Sequence, residues 1–159
     1  MRILRIILLI LLLIVVVVGV GAGVTYNRWT QGPLPQHDGT LVVDGLSGAV
    51  EILRDTYGVP HIYASTSHDL FFAQGYTQAQ DRWWQMEFWR HIGAGRISEL
   101  TGKTNSVLGN DLFIRAAGWY AASELDYAAL DDETKVILQA FADGVNAYIT
   151  NRPPERPRV

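Results

Sequence analysis

From Ile6 to Val24 the chain carries no charged or hydrogen-bonding side chain. This run constrains the fold more than any other feature. A helix rises about 1.5 Å per residue, so the run is long enough to cross a hydrocarbon layer of about 30 Å. A helix also satisfies its backbone groups internally, which lipid demands. Arg2 and Arg5 precede the run, and Tyr26, Arg28 and Trp29 follow it. By the positive-inside tendency the N-terminus stays in the cytoplasm, and the aromatic pair suits the outer interface. Residues 1–30 therefore read as a membrane anchor or signal-anchor, with the rest of the chain on the extracytoplasmic side. A cleaved signal peptide, leaving a secreted or periplasmic product, is the competing reading. Its apolar core usually spans about 7–15 residues and ends at a small-x-small site. Here the core is longer, and Gly19 to Gly23 match such a site poorly.

Residues 31–40 (QGPLPQHDGT) are polar and hold two prolines and two glycines, the composition of a tether. Beyond it, residues 41–159 must build any folded body. The chain has no cysteine, so thiolate metal sites and thiol nucleophiles are excluded. A net charge of −3 gives no basic footprint for nucleic acid. The four histidines are scattered, with no His-x-x-x-His pair to hold a metal.

Short alternating runs at Leu41–Val43, Val50–Leu53 and Pro60–Ala64, separated by Gly, Asp and Ser, predict three strands. From Ser67 the period changes to that of a helix, with Ser67 as its cap and Asp69 favouring the N-terminal dipole. Phe72, Tyr76, Ala79, Trp83, Met86 and Arg90 recur at helical spacing to about His91. Phe71, Trp84, Phe88 and Trp89 fall on other faces, and a helix aromatic nearly all round needs cover on several sides. Gly93 and Gly95 end it, and a short turn over Arg96 to Leu100 follows. Asp111 to Leu125 predicts a further helix, weakened at Gly118. Asp131 caps another, with a stripe of Ile137, Phe141, Val145, Tyr148 and Ile149, stopped at Asn151-Arg152-Pro153-Pro154. A body of about 120 residues buries only about two-thirds of its unfolded surface. The crowded aromatic helix therefore calls for a large partner surface, from another chain or from a continuation of this one.

Two polar clusters invite chemistry. In RDTYGVPHIYA, Gly58 permits a tight turn, Pro60 blocks a helix, and Asp55 can accept turn N–H groups. The Arg54 fork suits a carboxylate, and Asp81 is a candidate partner. His61 can exchange protons near neutrality, yet no nucleophile accompanies it, so an independent enzyme using His61 with Asp55 or Asp81 is disfavoured. In QAQDRWWQMEFWR, Gln80, Asp81, Arg82, Gln85 and Glu87 sit within the aromatic helix. Asp81 and Glu87 lie on different faces and make no carboxylate pair, whereas Glu87 can pair with Arg90 and His91. Gly93-Ala94-Gly95-Arg96 lacks the ending of a phosphate loop, and Asp131-Asp132-Glu133 lacks the ligand spacing of a calcium hand. Ordering of a hairpin and its tie to the next helix accounts for these residues.

At VEILRDTYGVPHIYA, LFFAQGYTQAQDRWWQMEFWR, GRISELTGK and ALDDETKVILQAFADGVNAYI the sequence resembles the penicillin acylase family, a branch of the N-terminal-nucleophile hydrolases. The likeness covers about Val50 to Ile149 in one order, and leaves the anchor and tether outside. It implies an α+β fold: short strands and a mainly helical α segment, one incomplete part of an αββα architecture. It also implies a longer precursor cut into α and β segments. The new N-terminal Ser of β would be the nucleophile, with its own amine as base and an oxyanion site in β. Substrates of that class are linear acyl amides: β-lactam side-chain amides, N-acyl homoserine lactones and related compounds. The partners implied are the downstream β segment, the membrane and an acyl amide substrate. The resemblance allows calcium in the complete enzyme and implies no cofactor in this chain.

The matching residues are scaffold: Arg54, Asp55, Tyr57, Gly58, Pro60, His61, Gly75, Tyr76, Gln80, Asp81, Arg82, Gln85, Met86 and Glu87. No catalytic, cofactor-binding or metal-ligating residue carries over, because the nucleophile and acyl pocket are expected beyond Val159. The chain is thus expected to be an N-terminal fragment, inactive by itself. The alternative is an anchored, non-catalytic protein that binds a partner through its aromatic helix.

Overall fold

A computed structural model describes residues 2–30 and 38–151. Most of the tether expected over 31–40, and the segment after Asn151, lie outside those residues. The described chain divides into two units, the N-terminal helix and the body from residue 38 onward.

The first unit is α1, Arg2–Thr30. Its apolar side chains are all exposed, and it is long and apolar enough to cross a membrane. The two threonine hydroxyls near its end turn back onto the helix: Thr25 Oγ1 donates to the Gly21 carbonyl and Thr30 Oγ1 to that of Tyr26, both at 2.8 Å. Neither then needs a partner from outside.

The second unit opens with an antiparallel hairpin, β1 (Glu51–Arg54) and β2 (Pro60–Tyr63), in which Arg54 faces Pro60 and Glu51 faces Tyr63. Pro60 starts its strand, where a missing N–H costs no ladder bond. The strand expected at Leu41–Val43 does not form. Among the described residues the sheet has two strands, and residues 41–43 have no ladder to join. The chain turns at Asp44-Gly45 instead and is hooked to the following helix through Ser47.

Helix α2 spans Ser67–Gly93, and α3 is the short turn Ser98–Thr101. The cap of α2 is Thr66 rather than Ser67: Thr66 Oγ1 accepts from the Asp69 N–H at 3.1 Å. Helices α4 (Asn105–Ala117) and α5 (Trp119–Ala129) meet at Gly118, whose φ of 73° ends one and starts the other. The single helix expected across this stretch is therefore two. Helix α6, Asp132–Asn151, starts as the acidic stretch implies, with Asp131 Oδ1 accepting from Thr134 N at 2.7 Å.

The core lies where α2 packs on α6. Phe72, Ala73, Ala79, Ala140 and Tyr148 are buried there, and the Tyr76 and Tyr148 rings meet edge to face at 5.6 Å. Of the expected α6 stripe Tyr148 is buried, Ile137, Phe141 and Val145 are half-buried and Ile149 is exposed, while the deepest contact adds Ala140 and Gly144 beside it. Small residues win this position because the backbones approach closely. A Cβ on Gly75 would strike the Phe141 carbonyl, and one on Gly144 the Phe72 carbonyl.

Candidate functional site

The hairpin turn builds itself first. Asp55 Oδ1 accepts from Tyr57 N at 2.8 Å and Val59 N at 2.9 Å, and Gly58 N donates to the Asp55 carbonyl. Gly58 takes a φ of 79°, a conformation a side chain would resist. The Val59 N–H, followed by that of Tyr57 and the nearby His61, holds the Asp55 carboxyl below its ordinary range.

With the turn closed, Arg54 projects onto α2. Its Nη1 donates to Asp81 Oδ2 at 2.8 Å and its Nη2 to Asp81 Oδ1 at 2.9 Å, a bidentate pair. The same guanidinium reaches Gln80 Oε1 at 3.2 Å and the Gly58 carbonyl at 3.0 Å. Arg54 thus ties the turn, its own strand and the helix together. Its side chain is 13% exposed and that of Asp81 24%, so the pair is sheltered but not sealed.

Immediately after Asp81 the helix bends. Arg82 has φ −139° and ψ 27°, outside the helical region, although helix continues on either side. Nothing in the periodicity of the aromatic run signals this bend. Arg82 itself donates to Gln85 at 3.2 Å. Glu87 accepts from Arg90 Nε at 2.8 Å and Nη2 at 2.7 Å, and Arg90 is the main reason its carboxyl is held low. His91, buried, bonds through Nδ1 to the Glu87 carbonyl at 2.9 Å.

Eleven of the fourteen matching residues, all but Gly75, Tyr76 and Met86, therefore separate into groups. Arg54, Asp55, Gly58, Gln80 and Asp81 converge, with Tyr57 and Pro60 shaping the turn. Tyr57 leaves its ring almost wholly in solvent. His61 only approaches Asp55, 3.8 Å away, and is exposed. Arg82, Gln85 and Glu87 belong to local pairs farther along α2. No nucleophilic side chain joins the converging group, so its chemistry is that of a clamp.

Two buried carboxylates do work that helix-start reasoning missed. Asp69 Oδ1 accepts the Ser47 N–H at 2.9 Å and the Ser47 hydroxyl at 3.1 Å. The Ser47 N–H, with His68, the Ser47 hydroxyl and Thr66 adding to it against the cost of burial, lowers the Asp69 carboxyl to about 2. Asp111 accepts from Ile97 N at 2.9 Å and Ser98 N at 3.0 Å, and Arg115 donates to the Gly95 carbonyl at 2.8 Å. Burial pushes the Asp111 carboxyl up, but these donors and Arg115 leave it below its ordinary value.

The region that holds the hairpin, α2 and α6 has a match. The family model for penicillin amidase aligns with residues 49–158, starting just ahead of β1 and leaving α1 outside. The chain belongs to the penicillin amidase family. It is 38% identical over 124 residues to penicillin acylase 2 proenzyme of Pseudomonas sp. (strain SE83), covering 78% of this chain and 16% of that protein. It is 43% identical over 111 residues to penicillin G acylase of Escherichia coli, covering 69% and 13%. Against acyl-homoserine lactone acylase QuiP of Pseudomonas aeruginosa the identity is 35% over 116 residues, covering 73% and 14%. Among solved structures, a thermostable penicillin G acylase from Alcaligenes faecalis superposes with a TM-score of 0.61 at 33% identity, covering 69% of this chain and 58% of that one. The matched region thus spans only about a seventh of the length of these curated penicillin amidase relatives. The mostly helical body with its few strands is that of the family, as the resemblance implied.

Proposed function

We propose that this chain is the N-terminal part of a membrane-anchored amidase that hydrolyses linear acyl amides, and that its nucleophile lies in a downstream β segment. One observation carries the reading. The aligned region covers 13–16% of the curated relatives but 58% of the matched solved chain, so that solved chain is far shorter than those relatives. This is the relation expected of an α segment separated from a precursor, and one relative is named a proenzyme.

In this reading the N-terminal Ser of β attacks the amide carbonyl, and its own amine takes the hydroxyl proton. The C–N bond breaks, the amine leaves with a proton, and water releases the acyl group from the Ser oxygen. Backbone and side-chain donors in β hold the oxyanion. The relatives' names point to penicillin-type side-chain amides and N-acyl homoserine lactones as the substrate classes to test. The α segment contributes position: Arg54 fixes the hairpin on α2 so that both present one surface to β. The calcium that the resemblance allows would belong to the complete enzyme; among the described residues no group of three carboxylate or imidazole side chains is placed to hold a metal. Helix α1 anchors the product on the extracytoplasmic face.

The test is expression of the complete reading frame, with assays on penicillin G and on N-acyl homoserine lactones of several chain lengths. Two polypeptides, the second beginning with Ser, and hydrolysis abolished by replacing that Ser are the expected results. A frame with no such Ser, or a product that binds partners but turns over no amide, refutes the reading in favour of an anchored binding protein.

A further inference from the structure

The first half of α2 is covered by α6, while Trp84 and Trp89 in its second half stay exposed, as the aromatic pattern suggests. A further uncovered surface is α5, none of whose residues is buried and all eleven of which are exposed. A helix shorter than about 12–15 residues is marginal in water and draws its stability from packing of one face. Here α5 has the pattern of a packed helix but nothing packed on it. Ala121, Ala122, Leu125, Ala128 and Ala129 follow the i, i+1, i+4, i+7, i+8 spacing of a core-facing stripe. Leu125 at its centre is 74% exposed. The charged residues Glu124 and Asp126 lie off that stripe.

We infer that the alanine–leucine face of α5 is a seat for the downstream β segment of the same precursor. The inference rests on the amidase reading above. The relatives are roughly seven times the length matched here, so most of the precursor is available to supply cover. The face fits an apolar, closely approaching element: four methyl groups around one isobutyl group leave room for a ridge of larger aliphatic or aromatic side chains. A charged lipid surface fits it worse, since the flanking charges on α5 are both acidic. Covering this stripe would turn a marginal helix into part of a shared core.

Hydrogen exchange on the complete, mature protein tests this. If β covers α5, amides of residues 119–129 exchange at rates within about tenfold of those in the first half of α2. Leu125→Asp speeds exchange in that peptide at least tenfold and lowers the amount of β recovered with α, whereas Val136→Asp, on the exposed side of α6, does neither. Exchange of 119–129 at least a hundredfold faster than in α2, in a protein that hydrolyses amides, overturns the inference and leaves the amidase reading standing. Protection that varies with protein concentration, or disappears when lipid is replaced by detergent, overturns it in favour of a second copy or of the membrane. A protein with no second segment and no hydrolysis fails the amidase reading itself.

Discussion

Substitution of Gly144 by Ala tests how α2 and α6 are held. A Cβ at Gly144 would lie 2.8 Å from the Phe72 carbonyl carbon and 3.0 Å from the Tyr76 nitrogen, and closer still to the Phe72 oxygen. At Gly75 the nearest atoms are likewise backbone, including the Phe141 carbonyl carbon at 2.9 Å. No side chain can rotate away, so the helices must move apart by about 1 Å and loosen Phe72, Ala140 and Tyr148. Overpacking of this kind costs about 1–3 kcal/mol, and a rigid backbone obstacle puts it near about 3. Alanine's better helix propensity returns about 1 kcal/mol, so the net loss is about 2 kcal/mol. Gly109, inside α4, is the control. A Cβ there meets nothing within 4 Å, so Gly109→Ala should stabilise by about 0.5–1 kcal/mol. Urea unfolding of the full-length protein in detergent should show opposite signs for the two variants. A Gly144→Ala protein as stable as the parent would refute the close-approach argument.

Arg54→Ala removes a sheltered but not sealed pair, so its cost falls between the exposed and buried ranges, at about 2 kcal/mol. Arg54→Lys should recover less than half of this, since one ammonium cannot reproduce the fork; equal melting temperatures for parent and Arg54→Ala would show the clamp to be idle. Asp69, with its folded carboxyl lowered to about 2 against an unfolded value of about 3.9, contributes stability that is fully present above about pH 4 and lost as pH falls through about 2. The Asp69→Asn variant should lack that acid-side loss in a pH series of unfolding curves, and parallel curves for the two proteins would contradict the bond to Ser47. A reporter fused after Gln36 should be active only outside the cytoplasm, and activity confined to the cytoplasm would reverse the orientation read from Arg2 and Arg5.

Local chemistry was legible wherever the determinant and its effect are close in sequence. The Asp131 cap, the Tyr57-Gly58 turn and the Glu87 pairing with Arg90 each involve residues within a few positions of one another. The Arg54–Asp81 pair is long-range, yet a guanidinium in a turn and a carboxylate on the next helix left few other combinations. What escaped depends on the tertiary path. Asp69 reads as a helix-dipole acid until Ser47 is brought to it, and Asp111 reads only as the start of a helix until Ile97 and Ser98 point their N–H groups at it. Residues 41–43 have strand composition, but strand formation needs a partner edge. The α6 stripe was legible at Tyr148 and in part at Ile137, Phe141 and Val145, but periodicity favours bulky apolar residues, whereas a close helix crossing also selects Ala140 and Gly144.

The bend at Arg82 shows how these local and distant determinants combine. The first half of α2 is fixed by α6 through Phe72, Gly75 and Tyr76, and by the hairpin through Arg54 on Gln80 and Asp81. The second half answers to different partners. His91 is buried at its end, the Arg96 N–H returns to the His91 carbonyl at 2.8 Å, and Asp111 of α4 gathers Ile97 and Ser98 just beyond. A straight helix would have to satisfy both sets along one axis. The bend falls at the residue following the last clamped one, where the first set of contacts stops and the second has not begun. Sharp kinks have identifiable causes, and neither Pro nor Gly is present at this one. The change of packing partner is the cause the structure offers. It also explains why the polar residues of the motif separate at that point: those before the bend meet the hairpin, and those after it pair only with their own helix.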